Sequence, residues 1–314
     1  MSGRKDSRGS LRTKAVTLEE VIARIPGWTG ARIVTSTLGG GITNLNYRVD
    51  VDGESFVVRI PGKDSGLLGI DRRREYACTL AASQSGVGPE VVHFLEAEGI
   101  LVTCFIAGRG VSKEEIGRPT TIRRVAESLR RYHAGPTFPG TFSALETVRE
   151  YLRISRSGAP LPSPIDWMVE RAEAIDGVLR AVTRPPRPCH NDLLLGNFID
   201  DGHLIRILDW EYAAMGDPLF DLGNFAVHQG LSDTQEAMLL EAYLGQATTF
   251  GLARLKLMKI VSDLREAMWA MVQVTISSLD YDFAAYGQKH FDRYVTQLQD
   301  PRLPAWLTDA ARET

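Results

Sequence analysis

"PCHNDLLLGNFIDDGHLIRILDWEY", residues 188 to 212, places two carboxylates and an amide in a strongly apolar neighbourhood. These polar side chains belong to Asp192, Asn197 and Asp209. Because burying a carboxylate without a partner is costly, the arrangement indicates that a cation binds here. The run FIDDGHLIRILDW is typical of a β-hairpin that turns near Asp201-Gly202. A hairpin returns its two ends to one edge, which predicts that Asn197 and Asp209 converge.

The chemistry of these three side chains favours phosphoryl transfer. An amide oxygen and a carboxylate on one edge are hard oxygen ligands suited to Mg²⁺. The spacing matches the catalytic loop of kinases, in which one Asp accepts the substrate hydroxyl proton while an Asn and a second Asp hold Mg²⁺. This pattern predicts Asp192 as the catalytic base, Asn197 and Asp209 as metal ligands, and ATP and Mg²⁺ as cofactors. The alternative explanation is a structural hairpin with capping Asp and Asn residues.

The sequence before residue 107 predicts an antiparallel sheet interrupted by one helix. The run RIVTSTLGGGITNLNYRVDVDGESFVVRI predicts two strands around a Gly-rich turn and a third strand after an Asp52-Gly53 turn. The run DRRREYACTLAASQSGVG has helical spacing, with Tyr76, Leu80 and Ala81 on one side and Gly86 as its stop. The run VVHFLEAEGILVTCFIAG predicts a further hairpin.

After Gly108 the sequence becomes helical in character. A period of 3.6 residues runs through the stretch from Ile122 to His133 and again from Leu252 to Ile276. The fold class predicted is therefore α+β, with two lobes: a small antiparallel β-rich N-terminal lobe on a larger helical C-terminal lobe. The expected boundaries are a disordered tail at 1–14, a nucleotide-binding lobe at 15–106 and a catalytic and substrate-binding lobe at 107–314. Clefts between such units are common ligand sites.

Several upstream residues are predicted to bind ATP. Glycines between two strands let backbone N–H groups approach phosphates. Arg59 stands where a kinase places its phosphate-pairing Lys on the third strand, and Glu75 is expected to pair with it. The adenine is expected against the connection between the lobes. The full expected set is Gly39, Gly40, Gly41, Thr43, Asn44, Arg59, Glu75, Thr103, Phe105 and Ile106.

Composition narrows the function classes. The 314 residues carry a formal net charge of −3, so no broad nucleic-acid footprint is expected. The N-terminus has no apolar h-region and no window resembles a membrane span, which predicts a soluble cytoplasmic protein with three reduced cysteines. An amphipathic helix can face a core or a partner, so the sequence leaves the oligomeric state open.

Taken together, these motifs resemble those of the choline/ethanolamine kinases, within the aminoglycoside-phosphotransferase-like branch of the protein-kinase-like fold. The resemblance runs from about residue 30 to 297. It rests on HND…GN, LDWEY, the DLGN of residues 221–224 and the Arg in place of the strand Lys. It implies a small-molecule kinase that phosphorylates the hydroxyl of a small amino alcohol, with choline slightly ahead of ethanolamine. Kinases of thiamine or of an aminoglycoside, an ATP-binding pseudokinase scaffold and a cation-binding module without nucleotide chemistry are the alternatives.

The resemblance also implies which residues bind the substrate. In choline kinases aromatic side chains enclose the quaternary ammonium, which has no N–H to donate and is bound by ring faces. An aromatic stripe packed into a helical core is the alternative. The sequence departs from the family at Leu194 and Leu195, at His228, and at Glu266, which suits a primary ammonium by direct charge pairing. The implied substrate residues are Tyr212, Trp269, Tyr281, Phe283 and Tyr286.

Overall fold

A computed structural model describes residues 16–39, 44–62, 65–277 and 279–312 of the chain. The predicted tail and three of the expected ATP-binding residues, Gly40, Gly41 and Thr43, lie outside the described residues. In the first third of the chain the elements are α1 (Leu18–Ile22), β1 (Ile33–Leu38), β2 (Asn44–Val51), β3 (Glu54–Pro61), α2 (Arg72–Gln84), β4 (Val91–Leu95) and β5 (Ile100–Cys104).

The N-terminal strands form a five-stranded antiparallel sheet in the order β1-β2-β3-β5-β4. The turn between β2 and β3 has positive φ at both Asp52 (50°) and Gly53 (96°). This is the backbone twist that two-residue hairpin turns favour. The predicted strands, their connecting turn and the later hairpin of β4 and β5 are confirmed.

Helix α2 packs against this sheet and begins at an N-cap. The Asp71 side chain accepts hydrogen bonds from the backbone N–H groups of Arg73 and Arg74, and Gly86, with φ of 72°, follows the helix end. The sequence places Leu80 and Ala81 on one side of this helix, but the two differ in burial: Leu80 is exposed while Ala81 is buried. The inward face of α2 is occupied by Glu75 and small residues, since Glu75 takes part in a buried ion pair.

The rest of the chain is mainly helical, with a few short strands. Its 28-residue helix from Thr249 to Ile276 packs against four other helices and is buried along most of its length. The elements are β6 (Arg109–Gly110), α3 (Lys113–Ile116), α4 (Pro119–His133), α5 (Ala144–Ser155), α6 (Ile165–Ala181), β7 (Arg187–Cys189), β8 (Phe198–Asp200), β9 (Ile205–Ile207), β10 (Ala214–Gly216), α7 (Pro218–Gln229), α8 (Asp233–Leu244), α9 (Thr249–Ile276), α10 (Phe283–Leu298) and α11 (Leu303–Ala310).

The stretch of residues 188 to 212 contributes strands to two small antiparallel sheets. β8 and β9 form the predicted hairpin, with Phe198 opposite Ile207, and β6 adds to the other edge of β8. β7 pairs with β10 just before α7. Within the described ranges, no helix combines the length and hydropathy needed to span a lipid bilayer. The division of the chain near residue 106 stays a prediction.

We expect a Gly223→Ala substitution to lower the free energy of unfolding by about 1–3 kcal/mol, the usual range for an overpacked core. Gly223 lies on α7 where this helix crosses α9, and a Cβ there would lie 2.7 Å from Met258 Cβ and 2.9 Å from the Lys259 nitrogen. The matched control is Gly177→Ala in α6, where a Cβ meets nothing within 4 Å. That change should instead stabilise by about 0.5–1 kcal/mol. Urea unfolding of both variants checks the pair, and equal effects would contradict the packing argument.

Candidate active site

The loop after β7 is held by one buried carboxylate on α7. Asp221 is fully buried and accepts the backbone N–H groups of His190 (2.8 Å) and Asn191 (2.7 Å). It also accepts the Tyr132 hydroxyl and lies 3.0 Å from His133 Nε2. Although burial raises the pKa of a carboxyl, these partners outweigh it and hold the pKa of Asp221 below its ordinary value. The carboxylate therefore stays charged and fixes the loop.

The loop that Asp221 fixes is locally strained. Asn191 has φ of 66°, a conformation that residues other than Gly adopt only where their surroundings impose it. Its side chain donates to the Tyr212 carbonyl at 3.0 Å. On the far side of Asp192, the Leu193 N–H donates to Asn224 Oδ1 at 2.6 Å. Asp192 is thus held between two anchored neighbours.

The hairpin brings Asn197 and Asp209 to one edge. The Leu208 N–H donates to the Asn197 carbonyl at 2.9 Å, which places Asp209 one residue beyond the pairing. The Asn197 side-chain nitrogen donates to the Asp192 carbonyl at 2.9 Å. This hydrogen bond occupies the amide nitrogen and leaves the amide oxygen for a ligand. The structure therefore brings the three predicted residues together.

Arg59 links the sheet to this edge. One of its guanidinium nitrogens is hydrogen-bonded to Glu75, as the sequence predicts, and Nη2 lies 2.8 Å from Asp209 Oδ1. That contact is an ion pair without hydrogen-bond geometry, and the buried Asp209 Oδ1 has no hydrogen bond among the described residues. A buried carboxylate oxygen of this kind, beside a free amide oxygen, is a donor set that fits Mg²⁺.

A second arginine joins α2 to the segment after the hairpin. Arg72 Nη1 lies 2.7 Å from Glu75 and 3.1 Å from Glu211, and Asn44 Nδ2 donates to Glu211 at 3.0 Å. Burial, with the nearby Asp209 charge, raises the pKa of Glu211 to about 7, against the effect of Arg59 and Arg72. The expected ATP-binding residue Asn44 thus directs its amide toward Glu211.

A cavity of about 350 Å³ lies between the sheet and the hairpin edge. Its wall includes the segment from Thr103 to Ile106 and Gly39, which the sequence assigns to ATP. The same cavity reaches two of the predicted catalytic-loop residues and Arg59. Residues that line it and were expected at the site are Gly39, Arg59, Thr103, Phe105, Ile106, Asn197 and Asp209.

The expected substrate residues also lie together, on the other side of Asp192. Trp269 Nε1 donates to the Tyr212 hydroxyl at 2.9 Å, and the Trp269 ring centroid lies 5.9 Å from that of Phe283 and 6.1 Å from that of Tyr286. The Tyr281 ring, which is partly exposed, lies 4.8 Å from Phe283. The aromatic cluster therefore exists as packed rings at the junction of α9 and α10.

Arg265 is a site residue that the sequence reasoning missed. It is 1% exposed, and its Nη1 lies 3.2 Å from Asp192 Oδ1 and 3.0 Å from Glu266 Oε2. Burial raises the pKa of Asp192 to about 8, with Glu266 and Asp209 adding to the effect and Arg265 opposing it. A signal was available in the sequence, because Arg265 precedes Trp269 by four residues and so shares its helix face. Glu211, Arg72 and the anchoring role of Asp221 were also missed.

The fold and this site are those of a phosphotransferase. The model of the phosphotransferase enzyme family matches residues 34–258. A crystal structure of a choline/ethanolamine kinase family protein from Mesorhizobium loti is 33% identical, with a TM-score of 0.82, over 92% of this chain and 96% of that one. The chain belongs to the choline/ethanolamine kinase family within the phosphotransferase enzyme family, which confirms the predicted family and fold.

More distant relatives agree with this placement. A protein named probable ethanolamine kinase A from Dictyostelium discoideum is 27% identical over 82% of this chain and 83% of its own length. The crystal structure of the choline kinase LicA from Streptococcus pneumoniae has a TM-score of 0.76 at 22% identity, over 89% of this chain and 98% of that one, and so shares the fold.

We expect Asp221→Asn to lower both stability and turnover. The amide keeps one acceptor oxygen and leaves at least one buried donor unpaired, and a hydrogen bond to a charged group contributes about 1.5–3 kcal/mol. Urea unfolding should show a loss of at least this size. The control Asp166→Asn changes an exposed carboxylate that pairs with Arg156 at the surface and should have an effect within about 0.5 kcal/mol. Equal stability of the two variants would contradict the anchoring role.

Proposed function

We propose that this kinase transfers the γ-phosphoryl group of ATP to the hydroxyl of choline or ethanolamine. The observation that carries the proposal is that Asp192, Asn197 and Asp209 lie together, with Asn197 and Asp209 lining a cavity between the sheet and the hairpin edge. The similar proteins from Mesorhizobium loti, a choline/ethanolamine kinase family protein, and from Dictyostelium discoideum, a probable ethanolamine kinase, point to these two amino alcohols. A pseudokinase scaffold would need a broken catalytic set, and all three residues are present.

The nucleotide is placed in the cavity beside β5. The adenine lies against the segment from Thr103 to Ile106, and Gly39, which lines the same cavity, lies near the phosphates. Arg59, steadied by Glu75, meets phosphate oxygens through its planar fork. Arg59 also forms an ion pair with Asp209, so its positive charge acts on both the phosphates and this carboxylate.

Asn197 and Asp209 are the residues that would hold Mg²⁺, through the free amide oxygen and the carboxylate. The ion supplies neutralisation of charge on the transferring phosphoryl group. Asp192 orients the alcohol and accepts its proton as the oxygen attacks the γ-phosphorus in line, while the bond from that phosphorus to the bridging oxygen breaks and ADP leaves. The raised pKa of Asp192 in the free protein matches a group that receives a proton near neutral pH. Most of the rate gain then comes from positioning and electrostatics.

The charges on the acceptor side favour a small cation with a single ammonium group. An aminoglycoside carries several ammonium groups and calls for several acidic partners. Arg265, beside the aromatic cluster, binds one carboxylate besides Asp192 among the described residues, that of Glu266. A single ammonium is therefore the better match in charge.

We expect Asp192→Ala to lower kcat by about 10²–10⁴-fold while ATP still binds, because the substitution removes the proton acceptor and leaves the nucleotide cavity intact. Turnover of choline and ethanolamine measures the first effect, and protection by Mg²⁺-ATP against thermal unfolding measures the second. Asp166→Ala is the surface control and should behave like the wild type. Wild-type turnover by Asp192→Ala would refute the assignment.

Replacing Asp209 by Asn should raise the Mg²⁺ concentration for half-maximal rate by about 10–100-fold, the factor expected for loss of one charge-assisted contact. Chelation of Mg²⁺ should abolish wild-type turnover. Glu75→Gln provides the comparison, since it removes the other carboxylate on Arg59 and should weaken ATP binding while leaving the Mg²⁺ dependence unchanged. An unaltered Mg²⁺ titration for Asp209→Asn would exclude it as a metal ligand.

A further inference from the structure

The acceptor side of Asp192 is more polar than an aromatic enclosure requires. Beside the rings lie Arg265 and Glu266, and the His228 ring lies 5.7 Å from the ring of His290, which is in turn 4.7 Å from that of Tyr286. Arg265 and Glu266 are almost completely buried, at 1% and 2% exposure. Burying two charges and an imidazole in one place is costly unless they take part in recognition or in each other's stabilisation. Their contacts indicate which kind of nitrogen the substrate carries.

Arg265 occupies a ring face of the aromatic cluster. Its guanidinium carbon lies 4.6 Å from the Tyr212 ring centroid, and Tyr212 is fixed in turn by the hydrogen bond from Trp269. A ring face that holds one cation is not available to a second. A quaternary ammonium depends on ring faces, because it has no N–H to donate. Arg265 therefore removes one of the contacts on which choline would depend.

Glu266 and His228 supply hydrogen-bond acceptors instead. Glu266 accepts the Tyr286 hydroxyl at 2.7 Å on one oxygen and Arg265 on the other, and a carboxylate has lone pairs for further donors. Burial alone would raise the pKa of Glu266, but Arg265 outweighs it, so the carboxylate stays charged. The buried Nε2 of His228 has no hydrogen bond among the described residues, and burial lowers its pKa to about 4. The imidazole is then neutral at physiological pH.

The distances fit a short amino alcohol. One nitrogen of Arg265 lies within hydrogen-bond reach of both Asp192 and Glu266, so the two carboxylates are at most two hydrogen-bond lengths apart. A two-carbon chain with a hydroxyl at one end and an ammonium at the other can bridge such a pair.

We propose that the acceptor site selects protonated amino alcohols whose nitrogen keeps at least one N–H, and discriminates against quaternary ammonium. Glu266 and His228 accept the N–H groups, and Arg265 is a specificity-determining residue that covers Tyr212. This inference rests on the proposed phosphorylation of an amino alcohol and reverses the order in which the sequence ranked choline and ethanolamine.

The test is a methylation series assayed with the full-length enzyme: ethanolamine, its N-methyl and N,N-dimethyl forms, and choline. The last two differ by one methyl group, carry the same charge at neutral pH and differ in the N–H. We expect kcat/KM for the dimethyl compound to exceed that for choline by at least about tenfold, the factor for one hydrogen bond to a charged group. Equal or better turnover of choline would overturn the inference and leave the proposed function standing. Failure of all four compounds would remove both.

Variants identify the residues responsible. Glu266→Gln should reduce the dimethyl-to-choline ratio toward one, and Arg265→Met, which frees the Tyr212 face, should raise choline turnover relative to the dimethyl compound by about 3- to 30-fold. Asp263→Asn is the matched control, because Asp263 is a buried acid on the same helix whose oxygens bind Arg293 and His290. Its ratio should equal that of the wild type. Each result is a ratio of kcat/KM values for two substrates measured on the same variant. The methylation series itself is measured on the wild-type enzyme. An unchanged ratio in Glu266→Gln would contradict its role.

Discussion

The carboxylate of Asp221 is the interaction on which the catalytic geometry depends. It accepts two consecutive backbone N–H groups, those of His190 and Asn191, and by doing so holds Asn191 at a positive φ. Such a backbone conformation persists only when its surroundings over-determine it. The strain delivers Asp192 to the cleft with a fixed orientation. Since α7 is itself pressed against α9 at Gly223, the position of Asp192 follows from the packing of two helices.

Around this fixed point, the charges form two linked groups. On the nucleotide side, Arg59 and Arg72 connect Glu75 to Asp209 and Glu211 and so tie the sheet and α2 to the hairpin. On the acceptor side, Arg265 connects Asp192 to Glu266. Each arginine neutralises carboxylates that would otherwise repel one another in a region of low dielectric. The electrostatic cost of gathering so many acidic groups is thereby offset before a ligand arrives.

The sequence predicted those features that depend on local chemistry. The Asp52-Gly53 turn, helix α2 with its stop at Gly86 and the β8–β9 hairpin each follow from a short pattern with a steric or hydrogen-bonding cause, and the convergence of Asn197 with Asp209 followed from the hairpin. The Arg59–Glu75 pair was predicted from the resemblance to kinases.

The missed features depend on contacts between distant segments. Within DRRRE, Arg72 has the pattern of an ordinary surface arginine, and its contact with Glu211 depends on how α2 packs. Arg265 likewise has the pattern of one charge in a mixed helix, and Asp192, which it contacts, lies 73 positions earlier in the chain. The exposure of Leu80 was not predicted for the same reason. The buried face of α2 carries Glu75 and its ion pairs, which hydropathy alone does not indicate.

Helix α9 carries Arg265, Glu266 and Trp269 within about one turn, whereas Asp192, Asn197 and Asp209 lie on the loop and hairpin between positions 190 and 209. Three side chains of the proposed acceptor side are therefore close together on one helix, apart from the loop and hairpin proposed for phosphoryl transfer. Exchanges at these three positions would change the contacts of Asp192, Tyr212 and Tyr286 and would leave the ion pairs of Arg59 with Glu75 and Asp209 in place. A redesign of the proposed acceptor side can therefore begin with this short segment of α9.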